Sequence, residues 1–130
     1  MSAVVKGFPP NYAEIKARFN PPPNTIFAYG DTIYSPATAE LPGHLIVHEE
    51  THFAQQAVAG GPEAWWRRYI DDPQFRLEQE IEAYRAQWAA IRELPRAERR
   101  ELLVHICKSL SSSMYGRIVT KQQARQLVVT

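Results

Sequence analysis

Ten prolines punctuate the 130 residues of this chain and limit where its helices can begin and end. Proline lacks a backbone N–H and clashes with the preceding helical turn, so it is tolerated in the first turn of a helix and ends a helix elsewhere. Pro21-Pro22-Pro23 should therefore end a short helix over residues 11–19. Residues 25–29 and 32–35 are rich in Ile, Phe, Tyr and Thr and flank Gly30-Asp31, which predicts a small β-hairpin.

The remaining turn and cap signals predict a series of helices. We expect them from Leu41 or Pro42 to Gly60-Gly61, from Glu63 to Ile70, from the N-cap Asp72 and Pro73 to about Glu93, from Pro95 to about Leu110, and from the cap Thr120 through Val129. The predicted fold is α+β and predominantly helical, with one small sheet. No internal repeat or long linker divides the sequence, so we expect one domain over residues 1–130.

Composition excludes several classes of partner and compartment. The formal net charge is +1 and there is no long basic run, so nucleic acid is not an expected partner. No stretch approaches the roughly 18–20 apolar residues of a membrane span, and no secretory signal is visible at the N-terminus. Cys107 is the one cysteine, which excludes an intrachain disulfide and predicts a buried thiol. A cytoplasmic protein is expected, and its oligomeric state is left open.

The sequence His48-Glu49-Glu50-Thr51-His52 has the pattern H-E-x-x-H. On a helix, positions i and i+4 lie on the same face, so His48 and His52 can share one metal ion. Glu49 would lie close enough to handle a water at that metal, which is the arrangement of a zinc metallopeptidase. His44 lies a further turn away, and eight helical residues rise about 12 Å, so all three imidazoles cannot bind one ion. We expect His44 beside the site or at the surface.

A zinc site needs a third protein ligand, and the long helix offers three carboxylates. Its apolar residues recur at spacings of four and three and define an inward stripe: Leu77, Ile81, Tyr84, Trp88 and Ile91. Glu78 and Glu82 lie well off this stripe, whereas Glu80 lies at its edge. A half-buried carboxylate needs a cation, which Zn²⁺ would supply. Glu80 is thus the favoured ligand; alternatively, it pairs with an Arg or turns to solvent.

The residues around the motif predict that its helix is buried. Most are apolar over a wide arc, which leaves only Glu50, and in part Thr51 and Gln55, for solvent: Ile46, Val47, Phe53, Ala54, Ala57 and Val58. Burying the two His and Glu49 there without partners would cost several kcal/mol, which argues for a functional cluster. Trp65, Trp66 and Tyr69 are expected to be aromatic core.

Two stretches resemble the gluzincin group of zinc metallopeptidases: the motif with Gln55-Gln56 just after it, and Glu80-Ile81-Glu82-Ala83-Tyr84. In that group the first Glu of an E-x-E-A run binds the metal, which corresponds to Glu80. The chain also looks like small bacterial and bacteriophage zincin-like proteins over about residues 25–88. Many gluzincins have an Asp four residues after the ligand Glu, to support a ligand His. Here that position is Tyr84, so another acceptor, such as a backbone carbonyl, must orient the imidazoles.

The resemblance and the motif together predict a minimal zincin-like domain that hydrolyses peptide bonds in a peptide or protein substrate. One Zn²⁺ per chain would be held by His48, His52 and Glu80, with Glu49 as the general base for the metal-activated water. Tyr115 is the first candidate for the donor to the oxyanion. Arg117, His105 and Tyr84 follow as candidates. Residues 32–35 would either bind an extended peptide by strand addition or cover the core.

A second function from another class remains open. The same fold could be a catalytically weak or inactive structural or interaction module, for instance in a bacteriophage particle or its assembly. Glu49 favours the enzyme, because a structural zinc site has no use for a general base. The small size and the missing Asp at Tyr84 favour the module. A regulatory partner of a DNA-binding protein is a third alternative, for which the sequence offers no basic patch.

Overall fold

The computed structural model describes residues 2–129; Met1 and Thr130, the ends of the predicted domain, lie outside that range. The described elements confirm a predominantly helical α+β fold. In chain order they are β1 (Ala3–Val5), α1 (Tyr12–Phe19), β2 (Phe27–Tyr29), β3 (Thr32–Tyr34), α2 (Gly43–Val58), α3 (Pro62–Asp71), α4 (Pro73–Ala90), α5 (Arg96–Leu110), a 3₁₀ turn (Ser113–Tyr115) and α6 (Lys121–Val129). None of these helices is long and apolar enough to cross a membrane.

Side chains at two helix starts form the caps that the sequence predicts. The Asp72 carboxylate accepts hydrogen bonds from the N–H groups of Gln74 and Phe75, at 3.0 and 3.2 Å. The Thr120 hydroxyl accepts from the N–H of Gln123 at 3.1 Å, and the Gln123 side chain accepts from the N–H of Thr120 at 2.9 Å. These bonds satisfy N–H groups that have no partner within the helix. Helix α4 ends at Ala90, three residues before its predicted end.

The sheet contains the predicted hairpin and one strand that was not predicted. β2 and β3 pair antiparallel around Gly30-Asp31, where Gly30 has a φ of +70°, as the first residue of a type II′ turn requires. β1 pairs parallel with β3, which gives the order β1-β3-β2. Because β3 is the central strand, both of its edges are already paired. Of the two alternatives for residues 32–35, the addition of a peptide strand is therefore wrong.

Helix α4 lies between two groups of buried side chains. The aromatic core comprises Ile15, Phe27, Trp65, Trp66, Tyr69 and Phe75. The C-terminal core comprises Leu77, Ile106, Cys107, Leu110, Tyr115, Ala124 and Val128. Both confirm buried residues that the sequence predicts, including Cys107 and the aromatic residues of α3. The face of α4 with Glu80 and Gln87 packs along α2, so the helix is buried over a wider arc than its apolar stripe indicates.

Helix α2 buries the opposite face from the one its apolar residues predict. Its buried residues are His48, Glu49, His52, Gln55 and Gln56, whereas Ala54 and Ala57 are exposed and Val58 is 90% exposed. The physical reason is that the polar side chains find partners on α4 and the hairpin. The Gln56 amide, for example, donates to Ala28 O at 2.9 Å and accepts from Gly30 N at 2.7 Å. The expected burial of the polar cluster is confirmed. That of the apolar arc is wrong for Ala54, Ala57 and Val58, which are exposed, whereas the other three members are half-buried.

A buried arginine joins α3, α4 and the 3₁₀ turn. Arg76 is 1% exposed, and its Nη1 donates to the carbonyl oxygens of Tyr69 and Ile70, both at 2.8 Å. Its Nε donates to Met114 O at 2.9 Å. Two of these acceptors lie at the end of α3, where the helix dipole places partial negative charge. Carbonyl groups thus take the place of a carboxylate as partners of this buried cation.

We expect Arg76→Leu to lower the free energy of unfolding by about 3 kcal/mol or more, because three buried or partly buried carbonyls lose their donor. Arg85→Leu is the matched control, since Arg85 is exposed on the same helix; surface substitutions of this kind change stability by about 0.5 kcal/mol or less. Urea unfolding followed by circular dichroism measures both. Equal effects of the two variants would contradict this role of Arg76.

Candidate metal centre

Four polar side chains from α2 and α4 meet at one buried point. The Nε2 atoms of His48 and His52 lie 3.0 and 3.3 Å from the two carboxylate oxygens of Glu80. Glu49 approaches from the same helix as the imidazoles, with Oε2 at 3.8 Å from His48 Nε2. All four residues are buried. The structure therefore brings together the four residues that the sequence predicts at the centre of the site.

The donor set is suited to a metal ion. His48, Glu49 and His52 each offer a ligand atom, and these atoms lie within 4.8 Å of one another. Glu80 lies closer to the same imidazoles than Glu49 does: its Oε1 is 3.0 Å from His48 Nε2, against 3.8 Å for Glu49. Imidazole nitrogens and carboxylate oxygens are common ligands of divalent metals. The buried group could hold a metal ion.

The charges of His52 and Glu80 have opposite signs, and each shifts the pKa of the other. Burial alone would lower the pKa of His52, but the charge of Glu80 and a hydrogen bond to it outweigh burial and raise this pKa to about 9. Burial works to raise the pKa of Glu80, and the His52 charge with hydrogen bonds from both imidazoles holds it well below its usual range. His52 is thus a cation paired with a carboxylate. A metal ion would take the place of the His52 proton.

The pKa of Glu49 is shifted in the opposite direction from that of Glu80. Burial raises the pKa of its carboxyl, and the positive charges of His48 and His52 only partly oppose this effect. The negative charge of Glu80 raises the pKa further. Two carboxylates in one site therefore have pKa values shifted in opposite directions, a pattern that is common where two such groups have different roles.

Two glutamine side chains orient the imidazoles. His48 Nδ1 donates to Gln87 Oε1 at 2.9 Å, and His52 Nδ1 donates to Gln55 Oε1 at 2.7 Å. Each Nδ1–H bond directs the Nε2 atom toward Glu80. The structure thus has other acceptors in place of the Asp, as expected, and they are side-chain amides where a backbone carbonyl was the suggested example.

Both amides are themselves fixed by bonds from their nitrogen atoms. Gln55 Nε2 donates to Gln79 O at 3.0 Å and to Glu82 Oε1 at 2.7 Å. Gln87 Nε2 donates to His44 Nδ1 at 2.9 Å. His44 therefore lies beside the site, as expected, and is linked to His48 through Gln87.

The role of Gln87 was missed in the sequence, although a signal for it exists. Seven residues separate it from Glu80, which at 100° per residue places the two side chains within about 20° on one face of α4. Both are buried. A polar residue two turns from a predicted ligand was thus a candidate for contact with the same imidazoles.

Tyrosine side chains surround Glu80 and His48. Tyr69 donates a hydrogen bond from its hydroxyl to Glu80 Oε2 at 2.6 Å, so this core residue also holds the carboxylate in place. The Tyr84 ring lies edge-on to His48, with 4.5 Å between ring centroids. Tyr84 supports the imidazole by contact, where an Asp would do so by hydrogen bonding.

Tyr115 lines an open cleft that also contains His48, Glu49, His52 and Glu80. It is buried, and burial with the negative charge of Glu80 raises its pKa well above the usual value. It is therefore a neutral donor. The turn that presents it is tightly packed: Gly116 has a φ of +76°, and a Cβ there would lie 3.2 Å from Pro73 Cβ. Of the other oxyanion candidates, His105 and Tyr84 also line the cleft, whereas Arg117 is exposed and does not.

An open cleft of about 770 Å³ leads to the buried group. Its floor includes His48, Glu49, His52 and Glu80, and its walls come from α1, the proline triplet, β2 and α5. Clefts of this size accommodate small molecules or a few residues of a peptide. The four polar residues are therefore reachable from solvent although each is buried.

Comparisons of the chain with protein-family models, with curated proteins and with solved structures found no significant match. The interpretation of this site accordingly depends on its own geometry and chemistry.

We expect Gln87→Leu to weaken metal binding about 10- to 100-fold, because His48 loses the acceptor that sets its tautomer and ring orientation. Competition for zinc with a chromogenic chelator measures this change. Gln74→Leu is the control, since Gln74 is an exposed residue of the same helix. An affinity of the Gln87 variant equal to that of the control would exclude Gln87 as an orienting residue.

Proposed function

We propose that this protein is a zinc-dependent peptidase of the gluzincin type, with His48, His52 and Glu80 as the metal ligands. The observation that carries the proposal is the approach of two imidazole Nε2 atoms to one carboxylate, at 3.0 and 3.3 Å. Ligand atoms in a tetrahedral zinc site with bonds of 2.0–2.1 Å are about 3.3 Å apart. These two N···O separations are therefore close to the separation of two ligand atoms on one zinc ion, which supports the proposal.

Two properties of the donor set favour zinc in a catalytic role. Two His and one Glu are typical of catalytic zinc sites, which keep the fourth position open. The cleft provides access to that position. Bound here, zinc would polarise a substrate carbonyl and lower the pKa of a water molecule.

Glu49 is suited to the transfer of protons. It lies on the same helix as the imidazoles but farther from His48 than Glu80 does, and its raised pKa brings it closer to neutral pH. A carboxylate with these properties can accept a proton from the attacking water and pass it to the departing amine. Tyr115 is a neutral donor in the same cleft and can stabilise the oxyanion.

A peptide or protein is the substrate class that best fits the cleft. Its apolar walls include Phe19, Phe27 and Trp66, which can contact the side chains of an extended chain. Because β3 is paired on both sides, such a chain would be held by these walls and not by β3.

An alternative is a structural or interaction module that has little or no activity. The observation that favours it is Tyr84 in the position of the expected Asp, which leaves neutral amides to orient both imidazoles. Against it, the cleft leaves the site open and Glu49 is retained, whereas structural zinc sites are closed and have no general base.

We expect protein purified without added metal to contain about one zinc ion per chain. Inductively coupled plasma mass spectrometry measures this content. Glu80→Gln should lose the ion, because a neutral amide is a poor zinc ligand. Glu82→Gln is the matched control and should keep it, since the new amide oxygen can still accept from Gln55. Zinc lost from the Glu82 variant and kept by the Glu80 variant would reverse the ligand assignment.

We expect Glu49→Gln to keep zinc and to lose hydrolysis of a peptide library, because the variant cannot accept the proton of the attacking water.

Tyr115→Phe should keep zinc and lower kcat about 10²- to 10³-fold, as removal of an oxyanion donor does. Peptide cleavage is followed by mass spectrometry. If wild-type protein loaded with zinc cleaves nothing in the library, the inactive module is the better interpretation.

A further inference from the structure

A second groove lies between α5 and α6, away from the metal centre. Its volume is about 590 Å³. Five cationic side chains line it: Arg96, Arg99, Arg100, Lys121 and Arg125. Among residues 2–129, no Asp or Glu lines this groove. It is therefore a surface of a single charge sign, and its cations come from two helices.

This groove is part of a strong charge asymmetry along the chain. Residues 92–130 contain eight Lys or Arg and three Glu, a net charge of +5, whereas residues 1–91 contain seven Lys or Arg and eleven Asp or Glu, a net charge of −4. No basic run is visible in the sequence because the cations are spaced along two helices. Packing α6 against α5 brings them together.

The cations of the groove lack carboxylate partners. In the part of the chain that the structure describes, none of the five forms an ion pair, although an exposed pair does form on α3 between Arg67 and Glu63. Arg99 Nε is buried and has no hydrogen-bond partner among the described residues. Buried N–H groups are normally satisfied, so Arg99 Nε can still donate to an acceptor from outside the chain, such as water or a bound carboxylate.

The floor of the groove is apolar. It is formed by Trp88 of α4, by Leu103, Val104 and Cys107 of α5, and by Val129 of α6. Val104 is 65% exposed, although it lies in the middle of a helix. An apolar floor with a cationic rim matches a ligand that is itself apolar on one face and anionic at its edges.

We propose that this groove binds an acidic amphipathic helix of a partner protein. Such a helix would place apolar side chains at i, i+3 or i+4, and i+7 against the floor, and its Asp or Glu residues against the rim. Arginine guanidinium groups suit carboxylates because they can donate two parallel hydrogen bonds. The proposal is independent of the metal centre.

The floor distinguishes this ligand from nucleic acid. Nucleic acids bind through their phosphates and by stacking bases on aromatic faces. Here the floor is largely aliphatic, and its one aromatic ring, that of Trp88, is partly buried against the C-terminal core. An aliphatic surface contributes more to binding Leu or Ile side chains than to binding phosphates.

The probe is a fluorescein-labelled 18-residue helical peptide with Leu at i, i+4 and i+7 and Glu at the flanking positions. Fluorescence anisotropy measures its binding to the full chain. Arg99→Gln/Arg100→Gln/Arg125→Gln should weaken binding about tenfold or more, since charge pairs across an interface are lost. Lys6→Gln/Arg67→Gln/Arg85→Gln removes the same charge from exposed positions outside the groove and should change affinity by less than about twofold.

Two further measurements test the apolar part of the proposal. Val104→Asp, at an exposed position that should not affect folding, and a peptide with Ser in place of Leu should each weaken binding about tenfold. Melting temperatures confirm that the variants are folded. The proposal is overturned if the groove variant and the control variant bind the peptide equally, or if the Ser peptide binds as well as the Leu peptide. It is also overturned if a 20-nucleotide single-stranded DNA or a second copy of the chain binds this groove more tightly than the peptide does.

Discussion

The contact of Glu80 with His48 and His52 is the interaction on which the arrangement of this protein depends. It joins α2 to α4 through charged groups that are removed from water, and such groups are stable in a protein only when each has a partner. Here the Glu80 carboxylate also accepts from Tyr69, and each imidazole uses its second nitrogen to donate to an amide. The buried polar groups that contact Glu80 are therefore satisfied by one another. This explains how α2 can bury its polar face and expose an apolar one.

The imidazoles of this site donate to neutral amides where a carboxylate could have served as the acceptor. A carboxylate that accepts from a ligand imidazole increases the electron density on the metal-binding nitrogen, and an amide does so less. Gln55 and Gln87 fix the orientation of the two rings without adding negative charge to a point that already contains Glu49 and Glu80. The imidazole rings are thus oriented with little increase in the repulsion between the Glu49 and Glu80 carboxylates.

Features determined by neighbouring residues could be predicted from the sequence. The caps at Asp72 and Thr120 need only the first turn of their helices, and the position of Glu80 follows from the period of α4. Features determined by distant partners could not. β1 is three residues long and exists because β3 lies beside it, and the exposed face of α2 depends on which helix covers the other side. The groove between α5 and α6 likewise appears only when the two helices are packed together.

The position of α4 affects how the protein would unfold. This helix contributes to the aromatic core, to the C-terminal core and to the buried polar groups around Glu80, so its amide protons should exchange with solvent only through the rare opening of most of the structure. Any ion or inhibitor that binds at Glu80 in the native state alone would then add its binding free energy to the stability of the whole cooperative unit. Binding of a ligand at Glu80 would therefore slow amide hydrogen exchange even at the far end of α4.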